Sequence, residues 1–244
     1  MAFSGGVDSS FLVFAAVRAL GRDCVLAVTA RSPAHPAHES READAFCRQY
    51  DIRHQVVPTD MIRIINDRGN PTDRCYYCKH ALFSALTELA RTQGYAAVAE
   101  GSTLDDDHDY RPGRRALAEL EIVSPLRSAG LGKSAIRDMS RQLGLTSWDK
   151  PSCACLVSRF PYRVPITEED LSRVDRAEGF IRSLGFRQCR VRHFGERARL
   201  EVEAERVPEV LRLAEEIRTY LGGLGYLGVE IDPAGYRMGS MNEG

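Results

Sequence analysis

No stretch of this 244-residue chain is apolar for long enough to cross a membrane, and none reads as a secretory leader. Charge of either sign is not in excess. The 33 lysines and arginines stand against 34 aspartates and glutamates, giving a formal net charge of −1. Such a balance gives no global attraction for a nucleic-acid backbone, so nucleic acid is not an expected partner. No internal repeat recurs, which excludes a repeat array. What remains is an ordinary globular composition, 43% hydrophobic and 27% charged, long enough for one domain plus a smaller one.

What is present is concentrated at the start. Ser4-Gly5-Gly6-Val7-Asp8-Ser9-Ser10 lies between an apolar stub, Met1 to Phe3, and an apolar-periodic run, Phe11 to Leu20. This order reads as strand, glycine turn, helix. A buried parallel strand usually needs about five residues, so the first strand is short or the true start lies upstream. Two glycines let the backbone approach an anion closely and turn without a Cβ penalty. Ser9 and Ser10 bring hydroxyls and N–H groups to a helix start, where the macrodipole is positive and phosphate binds readily. No lysine follows the glycines, so this is not the GxxxxGK[ST] loop. The seven residues resemble the PP-loop of the ATP pyrophosphatase superfamily, whose members split ATP between the α and β phosphates and adenylate an oxygen of the substrate. The resemblance implies ATP binding by Ser4, Gly5, Gly6, Asp8, Ser9 and Ser10, with Mg2+. An enzyme using ATP is expected in the cytoplasm.

Gly21 ends the first helix, and Cys24 to Ala30 is a β-prone run suited to a strand covered on both faces. Ligands of open α/β sheets bind beyond the carboxyl ends of strands, which makes Thr29, Ala30 and Arg31 candidates for an adenine and ribose pocket. Helices are expected over 39–50, 61–65, 82–90 and 135–143, strands over 54–57, 96–99 and 123–126, and a loop over 67–79. The polar stretch 102–113 falls on the ligand face. Of its Asp105, Asp106, Asp107 and Asp109, one is expected to meet magnesium and the rest to be solvated. This alternation argues an α/β fold with a doubly wound parallel sheet over 1–149. Beyond it the texture changes. An irregular segment, 151–162, precedes a helix over 167–184 with the capping box Thr167-x-x-Asp170. Strands over 188–193, 198–203 and 228–231 and a helix over 207–221 then suggest a smaller α+β domain, 150–244.

Seven cysteines in such a chain argue for metal or catalysis rather than a disulfide framework. Cys75, Cys78 and Cys155 fall in the two irregular segments, at the edge of the expected ligand face. A thiolate is both a nucleophile and a metal ligand. Cys75 and Cys78 fit zinc, with Cys153 or His80 as the fourth ligand. They equally fit a redox pair, two buried thiols at a helix start, or an iron–sulfur site. Three cysteines leave one iron of a four-iron cluster open to an extra sulfide. Cys24, Cys47 and Cys189 read as core packing. Arg190 and Arg192 alternate on a predicted strand and face one side, an arrangement suited to a phosphate. Ser158 and Arg159 follow Cys155 closely enough to hold the same ligand.

The motifs AFSGGVDSS (2–10), VTARSP (28–33), RCYYCK (74–79), DYRPGRRAL (109–117), KPSCACLVSRFPY (150–162), RVRHFG (190–195) and GYRMGSMN (235–242) span almost the whole chain. Together they resemble the LarE family of PP-loop enzymes, the ATP-dependent sulfur transferases of nickel-pincer nucleotide biosynthesis. The resemblance implies adenylation of a carboxylate of pyridinium-3,5-biscarboxylic acid mononucleotide, followed by attack of a protein-held sulfur and loss of AMP. Single-cysteine members sacrifice the sulfur of the cysteine at the position of Cys155 and keep dehydroalanine. Members with all three, at the positions of Cys75, Cys78 and Cys155, carry a [4Fe-4S] cluster and pass on a sulfide. This chain has all three, which implies a cluster and a separate sulfide donor. The resemblance also assigns the small-molecule nucleotide substrate to Ser158, Arg159, Glu178, Arg190 and Arg192, and implies a symmetric homo-oligomer. It fails at Arg163, where a glycine usually follows Pro-Tyr. The residues leave alternatives open: tRNA thiolation, which needs a basic surface; ligation or amidation, which leaves the cysteines without a role; and a nucleotide-binding signalling module, which needs neither CLVSR nor RVR.

Overall fold

The computed structural model describes residues 1–108, 112–151, 154–237 and 241, so Asp109, Cys153 and parts of the motifs 109–117 and 235–242 lie outside the described residues. Its contacts divide the chain into two compact units, Met1–Lys150 and Pro151–Gly244.

The first unit is built on parallel backbone. Strand β1 (Ala27–Arg31) pairs in parallel with β2 (His54–Pro58). The stub at the start of the chain lies on the other side of β1: the Phe3 N–H donates to Val28 O (2.9 Å) and the Ala2 N–H to Ala99 O (2.8 Å). Ala99 in turn bridges Val123 in parallel. Extended backbone therefore runs on both sides of the stub, and the glycine loop leaves the sheet at its carboxyl edge. That is the topological switch point at which α/β sheets bind ligands.

Helix α1 (Val7–Leu20) starts inside the glycine loop, with Gly6 as its N-cap residue. Its first turn, Val7 to Ser10, is too polar for the apolar periodicity to register. Phe11, Leu12, Val13 and Ala16 bury its core side. Helices α2 (Ala37–Gln49) and α3 (Met61–Asn66) precede α4 (Arg74–Thr92). Helix α4 corrects the expected loop over 67–79, since Cys75 and Cys78 stand on its first turn. The strand over 24–30 begins later than expected. Cys24 sits in a 3-10 turn, Arg22–Cys24, and is exposed rather than packed. After α5 (Gly113–Glu119), the strand expected over 123–126 is a single bridge at Val123 followed by the helical turn α6 (Pro125–Ser128). Pro125 is favoured at a first helical position and supplies no N–H to a ladder. Helix α7 (Lys133–Gln142) completes the unit.

In the second unit α8 (Glu168–Ser183) opens on Thr167, whose hydroxyl accepts the Asp170 N–H at 3.1 Å, as a capping box requires. Strand β3 (Cys189–Phe194) runs antiparallel to β4 (Arg197–Val202). The helix expected over 207–221 is divided at Leu213 into α9 (Val207–Arg212) and α10 (Ala214–Gly223). Strand β5 (Gly228–Ile231) pairs with β4 in parallel. Strand alternation sends Cys189, Val191, Ala198, Leu200 and Val202 into a core with Ala177, Ile181, Ile217 and Leu221. Truncating Ile181 to alanine there costs roughly 2–5 kcal/mol. The same alternation puts Arg190, Arg192 and Glu201 on the opposite face.

Among the described residues, no helix is long and apolar enough to cross a membrane.

Candidate active site

The phosphate loop of the first unit is made mostly of backbone. Gly5 has φ +76°, and a Cβ on it would lie 3.1 Å from Ala43 Cβ of α2. Both the conformation and the contact therefore require glycine. Gly6 is extended, at φ −73° and ψ 172°, a conformation open to any residue. The hydroxyls of Ser4 and Ser9 meet at 3.1 Å, and Ser9 Oγ donates to Gly6 O (3.3 Å). Ser10 is fully buried, and its N–H closes the first helical bond to Gly6 O (3.0 Å). The loop leaves the first N–H groups of α1 pointing out of the helix start, where a 14-residue helix concentrates positive potential. Gly101 backs this start: a Cβ there would lie 3.2 Å from the Ser9 nitrogen, so only glycine lets the 100–101 segment close on it.

Two side chains not assigned from the sequence complete the loop. Of the 33 basic residues, three are lysine, Lys79, Lys133 and Lys150, and two of these stand at the loop. Lys150 Nζ donates to Gly5 O (3.0 Å) and pairs with Glu42 of α2 (2.7 Å). Lys133, at the start of α7, pairs with the buried Asp106 carboxylate (3.3 Å). Its N–H donates to Asp105 Oδ2 (2.6 Å). Asp106 also accepts the Thr103 N–H (2.9 Å). Asp106 is thus buried and engaged by the chain itself rather than solvated, while Asp105 stays exposed as it accepts the Lys133 N–H. Asp8 is half-buried, and burial raises its carboxyl above the ordinary range. Lys133 and Arg137 oppose that shift, while Asp106 and Asp105 add to it. A carboxylate so placed gains from a cation, and a hard oxygen donor beside phosphate suits magnesium. Asp109 and the Asp107 side chain lie outside the described residues.

Arg31 is not gathered in: it is exposed at the end of β1, where its carbonyl accepts the Thr59 N–H (2.9 Å). Thr29 is buried and donates to Phe3 O (2.7 Å), behind the loop rather than in a pocket.

Cys75 is exposed and Cys78 half-buried. Three residues apart on α4, they share one face of that helix. These are not the buried thiols of a structural pair. Cys47 and Cys189 are: burial pushes both thiols up to about 12, which keeps them protonated and inert. Within either unit taken by itself, the described residues hold no group of three or more His, Cys, Asp or Glu side chains placed to bind a metal.

Cys155, in the second unit, is half-buried at the head of a 3-10 turn, Leu156–Arg159. Its carbonyl accepts the Ser158 N–H (3.0 Å) and Oγ–H (2.9 Å). Arg159 is 1% exposed and holds both oxygens of Glu178, also 1% exposed, at 2.8 and 2.9 Å. Burial pushes the Glu178 carboxyl up. Arg159, Arg190 and the Val191 N–H outweigh burial and hold it below the ordinary range. Arg192 forms a second buried pair with Glu201 (2.7 Å) and donates to Ser158 O (3.2 Å). Arg190 donates to Cys189 O (2.7 Å) and lies over the Tyr236 ring, 5.0 Å from its centroid. The structure therefore brings Cys155, Ser158, Arg159, Glu178 and Arg192 together. Removing one member of such a buried pair costs about 3–5 kcal/mol, because its partner stays charged.

Residues 1–80 match the NAD synthase family model. The chain is 40% identical to an uncharacterized protein of Synechocystis, covering 99% of this chain and 91% of that protein. It is 35% identical to pyridinium-3,5-bisthiocarboxylic acid mononucleotide synthase of Lactiplantibacillus plantarum, covering 100% of this chain and 88% of that protein. Among solved structures it is similar to an NH3-dependent NAD synthetase from Campylobacter jejuni, at a TM-score of 0.47 and 16% identity, covering 75% of this chain and 76% of that one.

Proposed function

The chain belongs to the family of pyridinium-3,5-bisthiocarboxylic acid mononucleotide synthase, and on that premise we propose that it is an ATP-dependent sulfur transferase acting on the carboxylates of pyridinium-3,5-biscarboxylic acid mononucleotide. The observation that carries this reading is the phosphate loop, a helix start framed by Gly5, Asp8 and Lys133. ATP phosphates occupy that start, with Ser4, Gly6 and Ser9 lining it and the buried Ser10 closing the turn behind them. Asp8 would supply a protein oxygen to a magnesium ion, which would offset the phosphate charge there. A substrate carboxylate oxygen attacks the α phosphorus, the bond to the bridging oxygen breaks, and pyrophosphate leaves with the electron pair. A sulfur nucleophile then attacks the acyl carbon, and AMP leaves. Two rounds convert both carboxylates. Arg190 provides positive charge for the mononucleotide phosphate, while Arg192, paired with Glu201, holds Ser158 beside it.

For the sulfur, Cys75, Cys78 and Cys155 suit a four-iron cluster in donor chemistry, and the exposure of Cys75 suits a site completed from outside its own helix. When bound, such a cluster supplies an open iron that holds a transferable sulfide. That role needs a sulfide donor as partner. In the other reading Cys155 forms the acyl thioester itself; loss of its Cα proton then breaks its Cβ–S bond, giving thiocarboxylate and dehydroalanine. The cluster reading is favoured because the other leaves Cys75 and Cys78 without chemistry. A cytoplasmic homo-oligomer goes with the family by analogy.

One anaerobic experiment tests both levels. The protein is loaded with iron and sulfide and offered ATP with the mononucleotide, or ATP with bulk tRNA. Thiolated mononucleotide, with one AMP per sulfur, is expected, and thiolated tRNA is not. An unchanged protein mass after several turnovers supports the cluster. A Cys155 peptide lighter by hydrogen sulfide overturns it.

A further inference from the structure

The backbone around Cys155 is fixed from several directions. The Cys155 carbonyl receives three donors: Ser158 N–H at 3.0 Å, Ser158 Oγ at 2.9 Å and Arg159 Nη1 at 3.1 Å. The same Nη1 reaches Ala154 O (2.8 Å) and Ser158 Oγ (2.9 Å). Nε and Nη2 of Arg159 are taken by Glu178. Glu178 is in turn held to β3 by the Val191 N–H (3.0 Å). Arg192 Nη1 holds the next carbonyl in the turn, Ser158 O (3.2 Å). The rigid elements α8 and β3 thus fix the turn that presents the thiol, through one guanidinium with donors committed on every side. To serve a substrate instead, Arg159 would have to give up both its bonds to the buried Glu178, leaving that carboxylate the longer contact to Arg182 at 3.5 Å, which is unfavourable.

We propose that Arg159 and Glu178 are positioning residues: the pair aims the Cys155 thiol by holding the carbonyls of Ala154 and Cys155, and the substrate does not touch it. This rests on the proposed function only in taking Cys155 as a sulfur-bearing residue. Holding a reacting group in line is where small displacements carry large kinetic penalties.

The test uses the full chain. Arg159→Ala leaves the buried Glu178 with the longer 3.5 Å contact to Arg182 and risks unfolding, so the informative variant is the double substitution Arg159→Met/Glu178→Gln. It removes both charges and keeps an oxygen for the Val191 N–H. Arg159→Lys serves as the conservative partial rescue. Thiolated product formed per AMP should fall about 10–100-fold in the double variant. The KM for the mononucleotide should stay within about twofold, and Arg159→Lys should recover part of the coupling. Alkylation of Cys155 by iodoacetamide, followed on its peptide by mass spectrometry, should accelerate in the double variant as the turn loosens. A raised KM with unchanged alkylation would place Arg159 on the substrate and overturn the proposal, as would no change in any readout. If the wild-type protein makes no thiolated product, the functional reading fails, while the alkylation rates still decide the clamp.

Discussion

The phosphate loop and the Cys155 turn solve the same problem, holding a short irregular segment still, with opposite materials. The loop uses small residues and main-chain groups: Gly5 in a left-handed conformation, hydroxyls of Ser4 and Ser9, and the start of α1. The turn uses large charged side chains buried in pairs, Arg159 with Glu178 and Arg192 with Glu201. Backbone construction suits a ligand that brings its own charge, since N–H groups need no counter-ion when empty. Charged construction suits a segment that must keep its shape without a ligand, because the pair satisfies itself. The loop should therefore be sensitive to volume at single glycines, and the turn to loss of charge balance.

The sharpest way to break this contrast is at Gly5. Gly5→Val forces a β-branched residue to φ +76° and drives side-chain atoms into Ala43, 3.1 Å from even a Cβ. Stability should fall by about 1–3 kcal/mol, and AMP formation should drop more than about 100-fold through misplaced phosphates. Gly6→Ala has no such conformational conflict, so its thermal midpoint should stay near wild type while ATP affinity falls. If Gly5→Val protein forms AMP at the wild-type rate, the loop is not the nucleotide site.

The contrast also explains what could be read from the sequence. A backbone-built site leaves a contiguous signature, and SGGVDSS carried it together with the helix that follows. The strand–helix alternation of both units was legible for the same local reason: Thr167 before α8 and the period-two pattern of β3 are short-range signals. Sites built from side chains are not contiguous. Lys150 meets Gly5 across 145 positions and Arg159 meets Glu178 across 19. Nothing in the spacing announces either contact. The start of α4 was hidden differently. Gly69, Asn70 and Pro71 are turn residues, and the cysteines and tyrosines after Arg74 are weak helix formers, yet Phe83 and Leu86 are buried and hold the helix by packing. Val123 to Leu126 looked like a strand because apolar Val123 and Leu126 bracket a short segment, but Pro125 starts a helical turn.

Acid should sharpen the comparison, since each unit keeps a histidine behind its irregular segment. His54 lies between Thr29 Oγ1 (2.8 Å) and Asp44 (2.9 Å), and His193 packs on Phe160 at 4.8 Å and meets Tyr226 Oη at 3.1 Å. Burial lowers both below the ordinary 6.5, against the pull of Asp44 on one and Asp170 on the other. The folded forms therefore resist protons that the unfolded chain accepts. Their contribution is present above about pH 6.5 and is lost as pH falls through the lowered folded values. Glu178 is different: its contribution persists to lower pH and is lost only below the usual carboxylate value of 4.5. Thermal midpoints measured from pH 8 to pH 4 should fall from about 6.5 downward. The fall should be shallower below pH 6.5 in His54→Gln and His193→Gln proteins. Equal slopes in wild type and variants would remove the histidines from the account.

The smallest effect is expected at Arg163, just past the Cys155 turn. It is exposed, and its φ is +64°, the left-handed region. Glycine adopts that conformation without a Cβ penalty. An L side chain there costs roughly 1–2 kcal/mol. Glycine there removes that strain but also enlarges the unfolded ensemble by roughly 0.5–1 kcal/mol. Arg163→Gly should therefore stabilise by only about 0.5–1 kcal/mol, read as a shift in the urea midpoint with unchanged slope. Arg163→Ala separates the causes, because alanine keeps the Cβ that the conformation disfavours and removes the rest of the side chain. Alanine should gain little. If it gains as much as glycine, the cost of Arg163 lies in its guanidinium rather than its backbone.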